Sequence, residues 1–216
     1  MGLFDNRVTI PTSTEKADRV WKGLKKHLGG SYRRKLFESY LAGRPGVGTA
    51  IYHVVRDRIP NPKSAQAAAN LESIVQIDTL SRKVRREAHR MKGFIRFEKT
   101  GDNRYVALIA PRYDVLPLIR QHFETRFADQ EWIIYDTCRS YGLHYNRRNT
   151  REIKPGDTRL EEISCHIETL DEKLCQRLWQ QYYTAANISP RNNPKLHLSQ
   201  LPRRYWRYLP EKKTTR

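Results

Sequence analysis

The apolar residues of this chain change their spacing between Met91 and Phe97, and that change limits what it can fold into. From about Ala68 to Met91 they recur at three- and four-residue steps, as Leu71, Ile74, Val75, Leu80, Val84, Ala88 and Met91, which is the period of an amphipathic helix. In GFIRFEKT the period falls to two, with Ile95 and Phe97 alternating with Phe94, Arg96 and Glu98; the turn signal Gly101-Asp102-Asn103 and RYVALIAP follow. A helix running into a β-hairpin is the beginning of an α+β domain.

The remaining segments extend that pattern. Val115 to Phe127 predicts a helix with Pro117 in its first turn, where the missing donor does no harm. EWIIYDT and GLHYN predict a second hairpin around CRSYG, the polar RRNTREIKPGDTR a mobile loop, and Asp171 to Ala186 a further helix. Upstream, Thr14 is the expected N-cap of a helix stopped at Gly29-Gly30. Ser31 caps a second helix ended by Gly43, and GVGTAIYHVVRDRI forms a third before PNPKS. The expected fold is therefore α+β, with a small antiparallel sheet of two hairpins separated by a helix. A helical lobe occupies residues 1–60, and residues 61–216 form the α+β domain with a basic C-terminal arm.

Charge narrows the function. With 41 Lys and Arg against 23 Asp and Glu, the formal charge is +18, which favours encounter with polyanions. Two segments concentrate it. Arg82, Lys83, Arg85, Arg86, Arg90 and Lys92 surround His89 near the helix end, with Arg96 just beyond and Glu87 the only acid among them. The C-terminal arm carries Arg191, Lys195, Arg203, Arg204 and Arg207 interleaved with Tyr205, Trp206 and Tyr208. Guanidinium groups hold phosphates and flat rings stack on unpaired bases. No apolar run is long enough to span a membrane, and MGLFDNRVTI lacks the order of a signal peptide. Asn6 stands where a myristoylation signal wants Ser or Thr. Three cysteines, Cys138, Cys165 and Cys175, form no disulfide framework and point to a reducing cytoplasm.

Most catalytic motifs are missing. There is no Cys-x-x-Cys or His-x-x-x-His for zinc, too few thiols for an iron–sulfur cluster, and GRPGVGTA lacks the Lys-Ser/Thr of a phosphate loop. Ile95 and Arg96 spoil the RNA-recognition pattern in KGFIRFEK. No metal or cofactor is expected. The acid–base candidates are His89, Asp136 and His144, the last two placed with Cys138 and Arg139 around one hairpin. The ordinary alternative has Asp136 capping the turn, Arg139 pairing with an acid and His144 filling a strand position.

The segments VRREAHRMKGFIRF, YVALIAPRYDVLPLI, HFETRFADQEWIIYDTCRSYGLHY and NISPRNNPKLHLSQLPRRYWRYLPE together resemble an uncharacterised bacterial family of DNA metabolism or repair proteins, domain of unknown function 4130. The likeness runs from about Thr14 onward. Its matching residues are Arg86, Glu87, His89, Arg90, Phe94 and Phe97 in the first basic segment. In the last they are Arg191, Asn193, Pro194, Leu196, His197, Pro202, Arg204, Tyr205 and Trp206. The resemblance implies a radical-SAM or uracil-DNA glycosylase-like protein as partner, and a setting rather than a reaction. It also implies an additional segment ahead of EKADRVWKGL, whose role this chain is expected to lack. The expected function is a DNA-binding accessory of a repair or base-modification system, acting on single-stranded or damaged DNA. The alternatives are an enzyme acting on DNA through His89, Asp136 or His144, and an adaptor that uses charge to steer a protein partner.

Overall fold

The computed structural model describes residues 11–59, 71–101, 103–155, 170–186, 188 and 193–212. The chain divides into two compact units between Arg82 and Lys83, a boundary that falls inside one helix. Among the described residues no helix is long and apolar enough to cross a membrane.

The first unit begins with α1 (Thr14–Tyr40), whose N-cap is Ser13, one residue before the expected Thr14; its hydroxyl accepts the Lys16 N–H. Gly29 breaks α1 with φ 77° and ψ 161°, backbone space that is essentially glycine's own. The two expected helices are thus segments of one element that meet at this break. After α2 (Val47–Arg58), the core of the unit gathers Leu24, Leu36, Ala50, Val54 and Ile77. The Arg58 guanidinium covers the Tyr32 ring at 4.3 Å.

Helix α3 (Leu71–Phe94) presents a different stripe from the one expected. Leu71 and Val75 are 65 % and 54 % exposed, while Ile77, Val84, Ala88 and Met91 are buried. The inner face runs Ile74, Ile77, Ser81, Val84, Ala88 and Met91, in strict steps of three and four. Ser81 conceals this phase from an apolar reading. It is buried because its hydroxyl donates to the equally buried Glu38 at 2.6 Å. Residues 68–70 of the expected helix lie outside the described residues, as does PNPKS.

The second unit is built on a five-stranded sheet in the order β1-β2-β3-β4-β5. β1 (Glu98–Lys99) and β2 (Tyr105–Ile109) form the first expected hairpin, and β3 (Trp132–Asp136) and β4 (Tyr141–Tyr145) the second. The strand signal read at Ile95 and Phe97 belongs instead to the approach to β1, because α3 persists through Phe94. α4 (Leu116–Arg126) crosses between the hairpins and brings β2 and β3 together in parallel, from Tyr105 opposite Trp132 to Ile109 opposite Asp136. The hairpins are thereby one mixed sheet.

The segment expected as a mobile loop corrects that reading, since Thr150–Ile153 is β5, antiparallel to β4. The Asn146 carboxamide accepts the Arg148 and Asn149 N–H groups and turns the chain, with Arg147 at φ 70°, so a polar composition still yields a paired strand. Residues 156–159 of that segment are outside the described residues. Phe97, Phe123, Phe127, Trp132 and Tyr145 pack edge-on or stacked into one aromatic cluster. α5 (Leu170–Ala185), α6 (Pro194–Gln200) and 3₁₀ turns at Arg203–Tyr208 and Pro210–Lys212 complete the unit.

Gly142 is opposite Tyr135, and a Cβ on it would fall 2.7 Å from the Ile134 carbonyl oxygen and 2.9 Å from the Tyr135 ring. Gly142→Ala is therefore expected to destabilise by about 1–3 kcal/mol. Gly48→Ala, on α2 with nothing within 4 Å, should leave Tm unchanged or slightly raised. Thermal unfolding of the two variants beside the parent checks the contrast.

Candidate nucleic-acid interface

Glu87 lies on the inner side of α3, three residues after Val84 and four before Met91, and is 3 % exposed. Its carboxylate accepts the backbone N–H of Arg112 at 2.9 Å and of Tyr113 at 3.0 Å. From the C-terminal segment it accepts the Tyr205 hydroxyl at 2.5 Å and, at 3.4 Å, the Arg204 guanidinium, which also donates to the Tyr205 oxygen at 2.6 Å. Both carboxylate oxygens are thus engaged and the charge is countered, as a buried ion requires. Burial and the bond to Glu87 push the Tyr205 hydroxyl up to about 12.

Further contacts fasten the same segment. Arg90 donates to the Ser199 carbonyl at 2.7 Å, so α3 also holds the end of α6. The hydroxyls of Tyr208 and Thr137 share a hydrogen bond of 3.0 Å. Glu211 accepts from Arg96 at 2.8 Å and from the Trp179 indole at 2.9 Å. Burial pushes the Glu211 carboxyl up, but its own backbone N–H, Trp179 and Arg96 more than offset this and hold it below the ordinary value. Trp206 donates its indole N–H to the Leu201 carbonyl at 3.1 Å and meets the edge of His197. Tyr205 is buried and Trp206 and Tyr208 are half-buried, so the rings of this segment anchor it.

The sequence-derived cations separate into two groups. Arg90, Arg96 and Arg204 make the docking contacts just described, with Arg96 also donating to the Gly93 and Ile95 carbonyls at the end of α3. Arg82, in the first unit, donates to the Asp78 carbonyl one turn back. Arg85, Arg86, His89 and Lys92 are exposed on α3, and Lys195, Arg203 and Arg207 are exposed on the C-terminal segment. Arg203 lies over Trp206 at 5.8 Å and Arg207 over Tyr208 at 4.5 Å, so two exposed guanidinium groups are oriented by rings. Arg191 lies outside the described residues.

The three acid–base candidates are not brought together. Asp136 is fully buried, accepting the Cys138 and Arg139 N–H groups at 2.9 and 3.3 Å and the Arg139 guanidinium at 2.7 Å. Arg139 also donates to the Pro111 and Arg112 carbonyls. This is the turn-capping alternative. His144 is opposite Ile133 whereas Asp136 is opposite Tyr141, so the two side chains leave opposite faces of the sheet. His144 fills its buried position with Nε2 2.7 Å from Glu131 and Nδ1 3.3 Å from Arg151 Nε. Arginine only donates, so Nδ1 accepts and Nε2 holds the proton of the neutral ring. His89 lies on the exposed side of α3, among Arg85, Arg86 and Lys92. Among the described residues no three His, Cys, Asp or Glu side chains gather as a metal site, and Cys165 and His166 are outside them.

Sequence reasoning missed Glu87 as the organising group, along with the Arg112-Tyr113 loop, Glu211 and Trp179. A signal was present at Glu87: a lone acid among cations, on the phase of Val84 and Met91 rather than on the charged side. Glu211 is likewise the only acid among the cations of residues 187–216, but no long helix gives it an inner phase to read.

Residues 45–211 match the model of the family DUF4130, domain of unknown function, which is well over half of the chain. No curated protein and no solved structure matches.

Removing the Tyr205 hydroxyl tests the docking of the C-terminal segment. Tyr205→Phe is expected to cost about 1–2 kcal/mol and to speed amide exchange from Pro194 to Tyr208 while leaving the sheet protected. The folded hydroxyl titrates near 12 against an ordinary 10.0, so its stabilisation is complete below pH about 10 and is lost as pH rises toward 12. The Tm difference between parent and variant should accordingly narrow across that window.

Proposed function

The chain belongs to the domain of unknown function 4130 family, and we propose that it is a DNA-binding accessory of a repair or base-modification system. The observation that carries the reading is the Glu87 linkage. It ties Arg204 and Tyr205 to α3, so that exposed cations from two distant segments, Arg85, Arg86 and Lys92 with Lys195, Arg203 and Arg207, belong to one folded unit. Cations carried on packed elements hold their spacing, and fixed spacing is what lets several of them meet successive phosphates. The net charge of +18 adds a long-range attraction for any polyanion.

In this reading the groups expected to perform acid–base chemistry serve the fold, since Asp136 is saturated by its turn and His144 by Glu131 and Arg151. Reaction on a base is then the work of a partner, for which the family resemblance suggests a radical-SAM or uracil-DNA glycosylase-like protein in the cytoplasm. In this reading the rings anchor the segment, Tyr205 by its burial and Trp206 by its bond to Leu201, and the cations meet the DNA.

Binding to short DNA should weaken steeply with salt, with log K falling by about 0.9 per phosphate contact on duplex and about 0.7 on single strands. Replacing Arg86, Lys195, Arg203 and Arg207 together by Gln should flatten that slope at unchanged Tm. Weak, salt-insensitive binding by the parent would overturn the proposal. Incubation with oligonucleotides carrying uracil, alkylated bases or pyrimidine dimers, read by mass spectrometry, should return them unchanged from the chain alone. Turnover that disappears with His144→Gln or Asp136→Asn at unchanged fold would make it an enzyme instead.

A further inference from the structure

Helix α4 has two flanks, and they are charged differently. Its buried side is formed by Leu116, Ile119 and Phe123. With 3.6 residues to a turn, Arg120 and Glu124 fall to one side of that stripe and His122 and Arg126 to the other. The first pair is closed, since Glu124 accepts from Arg120 at 2.7 Å and from the Thr150 hydroxyl. The second pair has the same four-residue spacing and no acid. Among the described residues no carboxylate pairs with His122 or Arg126, whose contacts are with rings: His122 stands edge-on to Phe123 and Arg126 lies over Phe127 at 5.7 Å.

A third cation reaches the same place from α3. Glu87, Arg90 and Phe94, which meet the C-terminal segment, lie within about 60° of one another around that helix, and Lys92 is about 140° from Glu87 on the other side. Just beyond the helix, Phe97 packs against Phe123 and Phe127 and draws the end of α3 onto α4. Lys92 is exposed, pairs with no described carboxylate, and stands near enough to His122 for its charge to act on the ring. Burial holds the His122 ring below its ordinary value, and Lys92 and then Arg126 lower it further. Two cations and a neutral imidazole thus converge from two helices, with the repulsion among them unanswered. An anion placed between them relieves it.

We propose that Lys92, His122 and Arg126 form a phosphate subsite of the nucleic-acid interface, on the flank of α3 away from the C-terminal segment. The subsite rests on the DNA reading and extends it across α3. The segment carrying Lys195, Arg203 and Arg207 borders one flank of that helix, His89 lies on its exposed crest, and α4 supplies the other border. The ligand is a phosphodiester of the strand, whose oxygens accept from Lys92 and Arg126. Its negative charge offsets the two cations that kept a proton from His122, so the ring takes one up from solvent and both of its nitrogens become donors.

Anisotropy titrations of the full chain with a short fluorescent duplex, repeated over a series of salt concentrations, test it. Arg126→Gln should weaken binding about tenfold at about 0.1 M salt and lower the salt slope by about 1, the share of one phosphate contact. Arg120→Gln removes the same charge from the paired flank of the same helix and should leave the parent's slope. If Arg126→Gln lowers Tm through its lost ring contact, Lys92→Gln carries the test with the same expected change of slope. Going from about pH 7.5 to about pH 5.5 should strengthen binding by the parent, because the complex holds more protons than the free chain, and His122→Gln should reduce that gain. Equal slopes for Arg126→Gln, Lys92→Gln and Arg120→Gln beside a steep parent slope, or an undiminished pH gain in His122→Gln, would overturn the subsite and leave the DNA reading standing. A parent that binds duplex at no salt concentration overturns both.

Discussion

A carboxylate removed from water has to be met by donors, and in this protein the carboxylate of Glu87 determines where several segments must lie. Leaving it buried and unanswered would cost several kcal/mol. Its donors come from the turn before α4, through Arg112 and Tyr113, and from the C-terminal segment, through Arg204 and Tyr205. The requirement passes onward: the Arg112 carbonyl accepts from Arg139, whose guanidinium also answers buried Asp136. Glu211 repeats the arrangement at the other end, taking Arg96 and Trp179. Three carboxylates thus link α3, the β2–α4 turn, the β3–β4 turn and the C-terminal 3₁₀ turns.

This changes the meaning of the positive charge. A sum of +18 describes the field at a distance, whichever arginines produce it. Close contact depends on which guanidinium groups have their N–H donors directed at the protein. Arg96 and Arg139 each donate to backbone carbonyls and a carboxylate, and Arg90 to a carbonyl, so they act as struts. Arg203 and Arg207 instead rest on rings at the surface, and their charge is presented outward. In the C-terminal segment arginine and aromatic are neighbours in sequence for both reasons at once.

Local pattern carried much of the fold. Helix ends near Tyr40, Leu116 and Ala185, the strands from Tyr105 and Trp132, and the hairpin–helix–hairpin order follow from period and turn chemistry, which neighbours in sequence settle between themselves. Errors arose where a polar residue occupies an inner position. Ser81 sits in the α3 stripe because Glu38 accepts its proton, and without that knowledge Leu71 and Val75 look like the better phase. β5 was hidden by its composition, since Thr150, Arg151 and Glu152 read as loop and only pairing with β4 makes them a strand.

The candidate site divides along the same line. Sequence alone determined that the chain is basic, that its cations concentrate at the end of α3 and in the C-terminal segment, and that these segments belong to the family's motifs. Tertiary structure decided that Glu87 joins the two and that Arg90, Arg96 and Arg204 turn inward. It also decided that Asp136 and His144 occupy opposite faces of the sheet. The physical reason is range: propensity, periodicity and charge are properties of residues a few positions apart. The partner of a buried carboxylate can lie 118 positions away, as Tyr205 does from Glu87, and is chosen only when the chain closes on itself.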